Sequence, residues 1–125
     1  MKGYVALTAV LVIVPLLLLT GVNSLYENIT TLSVTKMNFD FQILKTHSET
    51  CLEETIYMIK RNPKFTGVFQ IIQPSWNCNV GIQDKVGFNG VMIMNIVATD
   101  ENNTRVTLKR ELNTNTNPFE LTNLQ

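Results

Sequence analysis

The spacing of apolar residues changes along the chain, from one continuous run to a strand-like and then a helix-like pattern. Residues 5–20 are almost wholly apolar, with one interruption at Pro15. Residues 36–45 then alternate between apolar and polar, which is the clearest two-residue period in the chain and predicts a strand. The apolar positions of this predicted strand are Met37, Phe39, Phe41 and Ile43.

A helical pattern follows over residues 49–61. Leu52, Ile56 and Ile59 lie at spacings of four and three residues, which places them on one face of a helix. Two capping-box matches precede or begin this segment, pairing Thr46 with Glu49 and Thr50 with Glu53. The dipeptide Asn62-Pro63 predicts the end of the helix, because a residue before proline avoids the helical region.

The remainder of the chain has the pattern of short strands separated by polar turns. Four segments alternate or are rich in β-branched residues, namely 67–73, 78–83, 91–99 and 105–112. Asn89-Gly90 is the strongest hairpin signal among the turns. Short turns favour antiparallel neighbours. We therefore predict an α+β fold, in which one helix packs across a curled antiparallel sheet of about five strands in the order β-α-β-β-β-β.

The N-terminus indicates export. Lys2 precedes the apolar run, and the small residues Val22 and Ser24 occupy the −3 and −1 positions of a cut after Ser24. This arrangement predicts a signal peptide over residues 1–24, a single domain over 25–112 and a flexible Asn/Thr-rich tail over 113–125. The alternative is that the segment is not cleaved and anchors the protein in a membrane as an N-terminal helix, since the apolar run is only slightly shorter than a membrane span.

The two cysteines of the chain, Cys51 and Cys78, are predicted to form one disulfide. An exported protein meets an oxidising environment, where two cysteines most simply pair with each other. A bond across a loop of this size restricts the unfolded chain by about 3–4 kcal/mol. Two free thiols, or bonds to a partner chain, are the alternatives.

Charge and residue types argue against several functions. Lys and Arg number ten, as do Asp and Glu, so we expect no nucleic-acid partner. His47 is the single histidine, which disfavours a metal site within one chain, and no cofactor-binding motif is present. A nucleophile formed by Cys51 and His47 would need a free thiol, which the predicted disulfide removes. We therefore expect a protein that is not an enzyme.

Three further features point to the cell exterior and to binding. Asn28 and Asn102 begin Asn-x-Thr sequons, and are predicted to carry glycans. Trp76 is the only tryptophan and lies in a predicted turn with Gln73 and Pro74. The ring either packs over the disulfide and the end of the helix or serves as an exposed anchor for an extracellular protein or carbohydrate.

The pattern as a whole predicts a secreted, non-enzymatic glycoprotein that acts as an extracellular interaction domain. The order of its elements is similar to that of secreted cystatin-like inhibitors, which implies protease inhibition as an alternative function. The Gln-x-Val-x-Gly motif of that family is not met, because Gln83 is followed by Val86 one place late. A small carrier of an apolar ligand is a further alternative, with a cavity lined by residues such as Met37, Phe39, Ile93 and Val97.

Overall fold

A computed structural model describes residues 2–124 of the chain as one long helix followed by five strands. The helix, α1, covers Lys2–Arg61. The five strands are β1 Gly67–Ile72, β2 Trp76–Asp84, β3 Val91–Asp100, β4 Arg105–Asn113 and β5 Glu120–Asn123. They form one antiparallel sheet in the order β1-β2-β3-β4-β5, so each strand pairs with its neighbour in sequence. The predicted α+β class and antiparallel sheet are confirmed.

The chain divides into two compact units, Met1–Phe39 and Asp40–Gln125. The second unit contains the sheet and the last part of α1, which packs on one face of it. Every second residue of the central strands points to that face, as the pleat of a strand requires. The buried side chains from the sheet include Val80 and Ile82 of β2, Met94 and Ile96 of β3, and Leu108 of β4.

The helix contributes to this core through one stripe of residues at helical spacing. The stripe consists of Leu44, Ser48, Cys51, Leu52, Thr55 and Ile59. The two hydroxyl groups of this stripe are buried, but neither lacks a hydrogen-bond partner, because each donates to a backbone carbonyl within the helix. Ser48 Oγ donates to the carbonyl of Lys45 at 2.6 Å, and Thr55 Oγ1 donates to the carbonyl of Cys51 at 2.6 Å.

The predicted disulfide joins Cys51 of α1 to Cys78 of β2, and both residues are fully buried. Cys51 lies in the middle of the buried helical stripe, while Cys78 is the first fully buried residue of β2. The bond therefore links the helix to the sheet inside the core, at the point where the two layers meet.

The predicted strand over residues 36–45 is wrong, because this segment belongs to α1. The order of elements is consequently helix first, and not strand, helix, strand. Once a helix is nucleated, each further residue adds a hydrogen bond at little cost. Residues 36–45 are flanked by helix on both sides, so propagation overrides the local two-residue period. Leu44, which lay outside the predicted apolar face, is the residue of this segment that is buried.

Neither predicted capping box marks a helix start, because both lie inside α1. The hydroxyl of Thr46 donates to the carbonyl of Gln42 at 3.0 Å, and that of Thr50 donates to the carbonyl of Thr46 at 3.1 Å. These hydrogen bonds to the preceding turn are the ones that threonine makes in a helix interior. The predicted end of the helix before Asn62-Pro63 is confirmed, since α1 ends at Arg61.

Two segments differ from the sequence-based prediction, namely the loop between β2 and β3 and the predicted flexible tail. The turn at Asn89-Gly90 is part of a longer loop between β2 and β3, closed by a hydrogen bond from Lys85 N–H to the carbonyl of Val91 at 2.8 Å. Residues 120–123, within the predicted tail, form β5 and pair with β4. The intervening Thr114 is held by its hydroxyl to the carbonyl of Gly90 at 2.8 Å.

Removing the disulfide is expected to destabilise the second unit substantially. The double substitution Cys51→Ala and Cys78→Ala should lower the free energy of unfolding by about 3–4 kcal/mol, because the unfolded chain regains the freedom of the closed loop. Denaturant unfolding followed by tryptophan fluorescence measures the change. Ser48→Ala is the matched control: it lies on the same buried stripe, makes one hydrogen bond within the helix, and should cost about 1 kcal/mol. Equal losses in the two variants would contradict a structural role for the bond.

Candidate functional site

The turn predicted to bind a partner lies at the end of the sheet where α1 enters the second unit. Here the ring of Trp76 stacks on the ring of His47, with the centroids 4.5 Å apart and the planes 11° from parallel. The two rings line a small pocket of about 130 Å³ together with Asp40 and Asp100. Trp76 is half-buried and packs against the core.

The other two predicted binding residues, Gln73 and Pro74, are exposed in the same turn. The backbone N–H of Gln73 donates to the carbonyl of Trp76 at 2.9 Å, which closes a tight turn between β1 and β2. The ring of His47 covers one face of the indole, so Trp76 has less exposed ring surface with which to anchor a partner. The aromatic partner is supplied by the helix, four residues before Cys51, and the sequence pattern did not indicate that contact.

The opposite end of the second unit exposes two large apolar side chains that the sequence pattern did not single out. Val86 and Phe88 lie in the loop between β2 and β3, and Val86 is 95% exposed. The Nζ atom of Lys85 lies 4.6 Å from the centroid of the Phe88 ring and 2.7 Å from a carboxylate oxygen of Glu111. The ion pair and the cation–π contact hold this loop in place while its apolar side chains remain in solvent.

The face of the sheet opposite α1 carries an open groove of about 640 Å³. It mixes apolar side chains with amides, and Lys109 is its one charged lining residue. The lining includes Val68, Asn79, Ile93, Asn95, Val97 and Leu124. Ile93 and Val97, which the carrier hypothesis placed in an internal cavity, are therefore on this open face. Met37 and Phe39, assigned to the same cavity, are exposed on α1 in the first unit.

A cystatin-like inhibitor would be expected to have a loose N-terminal arm, which the sequence would place at residues 25–31, and a hairpin segment at residues 83–87. Residues 25–31 are instead helical, while Gln83 and Asp84 end β2 and Val86 and Gly87 belong to the loop that follows. Among the described residues, no group of three or more His, Cys, Asp or Glu side chains is arranged to hold a metal ion.

The two sequons lie in different surroundings. Asn28 is exposed on α1, and the hydroxyl of Thr30 in the same sequon donates to the carbonyl of Tyr26 at 2.9 Å. Asn102 is exposed in the turn between β3 and β4, where its N–H donates to a carboxylate oxygen of Asp100 at 2.9 Å. A turn presents its side chains to solvent on several sides, so the second position suits a bulky modification better.

The first unit is a helix whose apolar side chains are exposed. By length and composition α1 qualifies as a membrane-crossing helix, a criterion that a signal sequence near the N-terminus also meets. The exposed apolar residues of the run include Val5, Leu11, Leu16 and Leu19. Such a surface is not stable in water and requires a lipid or protein environment.

The apolar surface of α1 continues beyond the length of one membrane span. Val22, Leu25, Ile29, Leu32 and Phe39 are all exposed, and the last of them lies 34 residues after Val5. Their spacings of three, four, three and seven residues follow the seven-residue repeat of a coiled coil, with Ile29 at an a position and Leu25 and Leu32 at d positions. We call these five residues the seam.

No protein-family model matches the chain, and comparison with curated proteins and with solved structures finds no match either. We therefore infer the function from the surfaces described above.

The contact between His47 and Trp76 can be tested by fluorescence, because the protein has one tryptophan. His47→Ala removes the ring that covers one face of the indole, so quenching of Trp76 by acrylamide should increase. The lost aromatic contact should also reduce the free energy of unfolding by about 0.5–1.5 kcal/mol. His47→Phe retains a stacking ring and should behave like the wild type. Unchanged quenching in the alanine variant would show that the indole is protected by other groups.

Proposed function

We propose that this protein is an exported, non-enzymatic interaction domain, which α1 anchors in a membrane and through which copies of the chain associate. The observation that carries the proposal is the exposed apolar surface of α1, which is longer than a bilayer requires. The hydrocarbon core of a membrane accommodates about 20 helical residues. Residues 5–22 account for that length, and the seam residues that follow need a different partner.

Continuity of the helix favours an anchor over a cleaved signal peptide. Ser24, the residue before the predicted cut, is an interior residue of α1, with the same helix continuing to Arg61. The seam residues after Ser24 are apolar. The N-terminus of a chain that is cleaved after Ser24 and secreted would need no such pattern. The disulfide supports export of the second unit, because a buried bond of this kind persists in an oxidising compartment.

The seam supports self-association of parallel helices. Helices anchored in one membrane run in the same direction, and a seven-residue repeat is the pattern that lets two such helices interlock along a common line. Lys36 falls at the a position between Leu32 and Phe39. A single polar residue at such a position costs stability but restricts the register and the number of helices.

Interaction with other molecules is proposed for the end of the second unit that lies opposite Asp40. The chain enters this unit at Asp40, near Ser75 and Trp76, whereas the loop with Val86 and Phe88 lies beyond the C-terminal end of α1. Exposed apolar side chains on a loop held by an ion pair suit contact with an extracellular protein or carbohydrate. Glycosylation at Asn102 is compatible with this arrangement, since it would occupy the other end of the sheet.

The anchor is tested by the fate of the N-terminus in a cell that exports the chain. We expect the protein to retain residues 1–24, by intact mass, and to stay in the membrane fraction after alkaline extraction. Leu16→Arg should release it or block its insertion, because a charged residue at the centre of a span costs about 2.5–3.5 kcal/mol. Leu32→Arg, the matched change outside the span, should leave the protein in the membrane. A soluble product beginning at Leu25 would instead establish secretion.

The seam is tested by disulfide cross-linking of the membrane-bound protein, in variants that each carry one added cysteine. Leu32→Cys should form a covalent dimer under mild oxidation, because d positions of parallel helices face each other. Thr31→Cys is the control: it lies one residue away on the same exposed helix, turned about 100° from Leu32 and away from the seam. Cross-linking at equal rates would contradict a defined seam.

A further inference from the structure

Among residues 2–124, no strand pairs with the outer edge of β1, and the unpaired backbone groups along this edge form a regular pattern. The N–H of Gln73 donates to the carbonyl of Trp76, which makes these two residues a hydrogen-bonded pair. Such pairs recur at every second residue of an antiparallel ladder, so the odd-numbered residues of β1 bond to β2. Val68, Gln70 and Ile72 therefore direct their N–H and C=O groups away from the sheet.

The side chains along this edge lack the features that protect an edge strand. Val68 and Ile72 are 80% and 72% exposed, and Gln70 between them is also exposed. The chain has no charged residue from Phe65 to Gln83, and β1 contains no proline. Charged side chains, proline and short length are the usual means by which an edge avoids pairing with another chain. The opposite edge has two such features, since β5 has four residues and begins with Glu120.

The sequence of β1 is complementary to itself in the antiparallel direction. When two copies are aligned about Gln70, each Val68 faces the Ile72 of the other copy and the two glutamines face each other. On the inner side, Phe69 faces Ile71 of the other copy. Apolar residues thus meet apolar residues at every position but the centre, where two amides meet, and cross-strand pairs of these kinds are favourable.

We propose that β1 is a site of symmetric pairing between two copies of this chain, in which the two sheets join edge to edge through Val68, Gln70 and Ile72. The pairing forms about six backbone hydrogen bonds, two for each facing pair. It joins the two sheets into one, with both helices on the same face, and leaves the groove of each copy beside that of the other. The inference does not depend on the membrane anchor or on the seam.

The geometry also determines the relative direction of the paired copies. Antiparallel pairing reverses one domain against the other, so the two Asp40 ends lie at opposite ends of the joined sheet. One strand pair is a small interface, and several copies held close together would strengthen it.

The register is tested by cysteine cross-linking of the full-length protein in detergent solution. Gln70→Cys should form a covalent dimer, because this residue faces its own copy at a Cα–Cα distance of about 5.5 Å. Val68→Cys alone and Ile72→Cys alone should not form one, but an equal mixture of the two variants should. Cross-linking of both single variants to themselves, or absence of the mixed product, would overturn the proposed register.

A charge at the centre of the edge provides a second test. Gln70→Lys places two ammonium groups opposite each other and should abolish the mixed cross-link when introduced into both cysteine variants. Gln83→Lys is the matched control, since Gln83 is also exposed on the same face but lies on β2, where it pairs with Ile93 of β3 and is not part of the β1 edge. Circular dichroism verifies that both variants are folded. An undiminished cross-link in Gln70→Lys would overturn the proposal.

The fate of the N-terminus distinguishes this pairing from the anchor. A mixed dimer that forms in solution from chains cleaved after Ser24 would support the β1 pairing while rejecting the anchor.

Discussion

The buried bond between Cys51 and Cys78 is the constraint on which the second unit depends. It joins the middle of the helical stripe to the first fully buried residue of β2, and so attaches the only helix to the sheet within residues 2–124. The core between these layers is modest, with one sheet face and one helical stripe. Small domains with limited apolar burial are marginally stable, so a covalent link between layers contributes a large share of the total.

The surroundings of α1 change along its length. From Leu44 to Ile59 its apolar stripe is buried against the sheet, while its earlier apolar residues are exposed. A helix can present different faces in different segments because each residue turns about 100° from the last. The chain thereby combines an apolar segment suited to lipid, a seven-residue repeat suited to another helix, and a stripe suited to a sheet, without a connecting loop.

The interaction surfaces proposed for this protein lie where apolar side chains are exposed or backbone groups lack a partner strand. The seam exposes apolar side chains on a helix, the loop with Val86 and Phe88 exposes them on a turn, and β1 exposes backbone donors and acceptors on a sheet edge. These surfaces use different physical forces, namely apolar burial for the first two and hydrogen bonding with apolar contact for the third. Trp76 offers less ring surface to a partner than its residue type suggests, because His47 already covers one face of its ring.

The sequence by itself determined the disulfide, the end of the helix at Asn62-Pro63 and the four strands from β1 to β4, because these depend on local alternation, turn chemistry and a cysteine count of two. It did not determine the state of residues 36–45. Their two-residue period predicts a strand, but cooperative extension of the flanking helix decides otherwise. The strand β5 is short and lies in an Asn/Thr-rich segment, so only its pairing with β4 identifies it. The stacking of His47 on Trp76 joins residues distant in sequence, and only the tertiary structure brings them together.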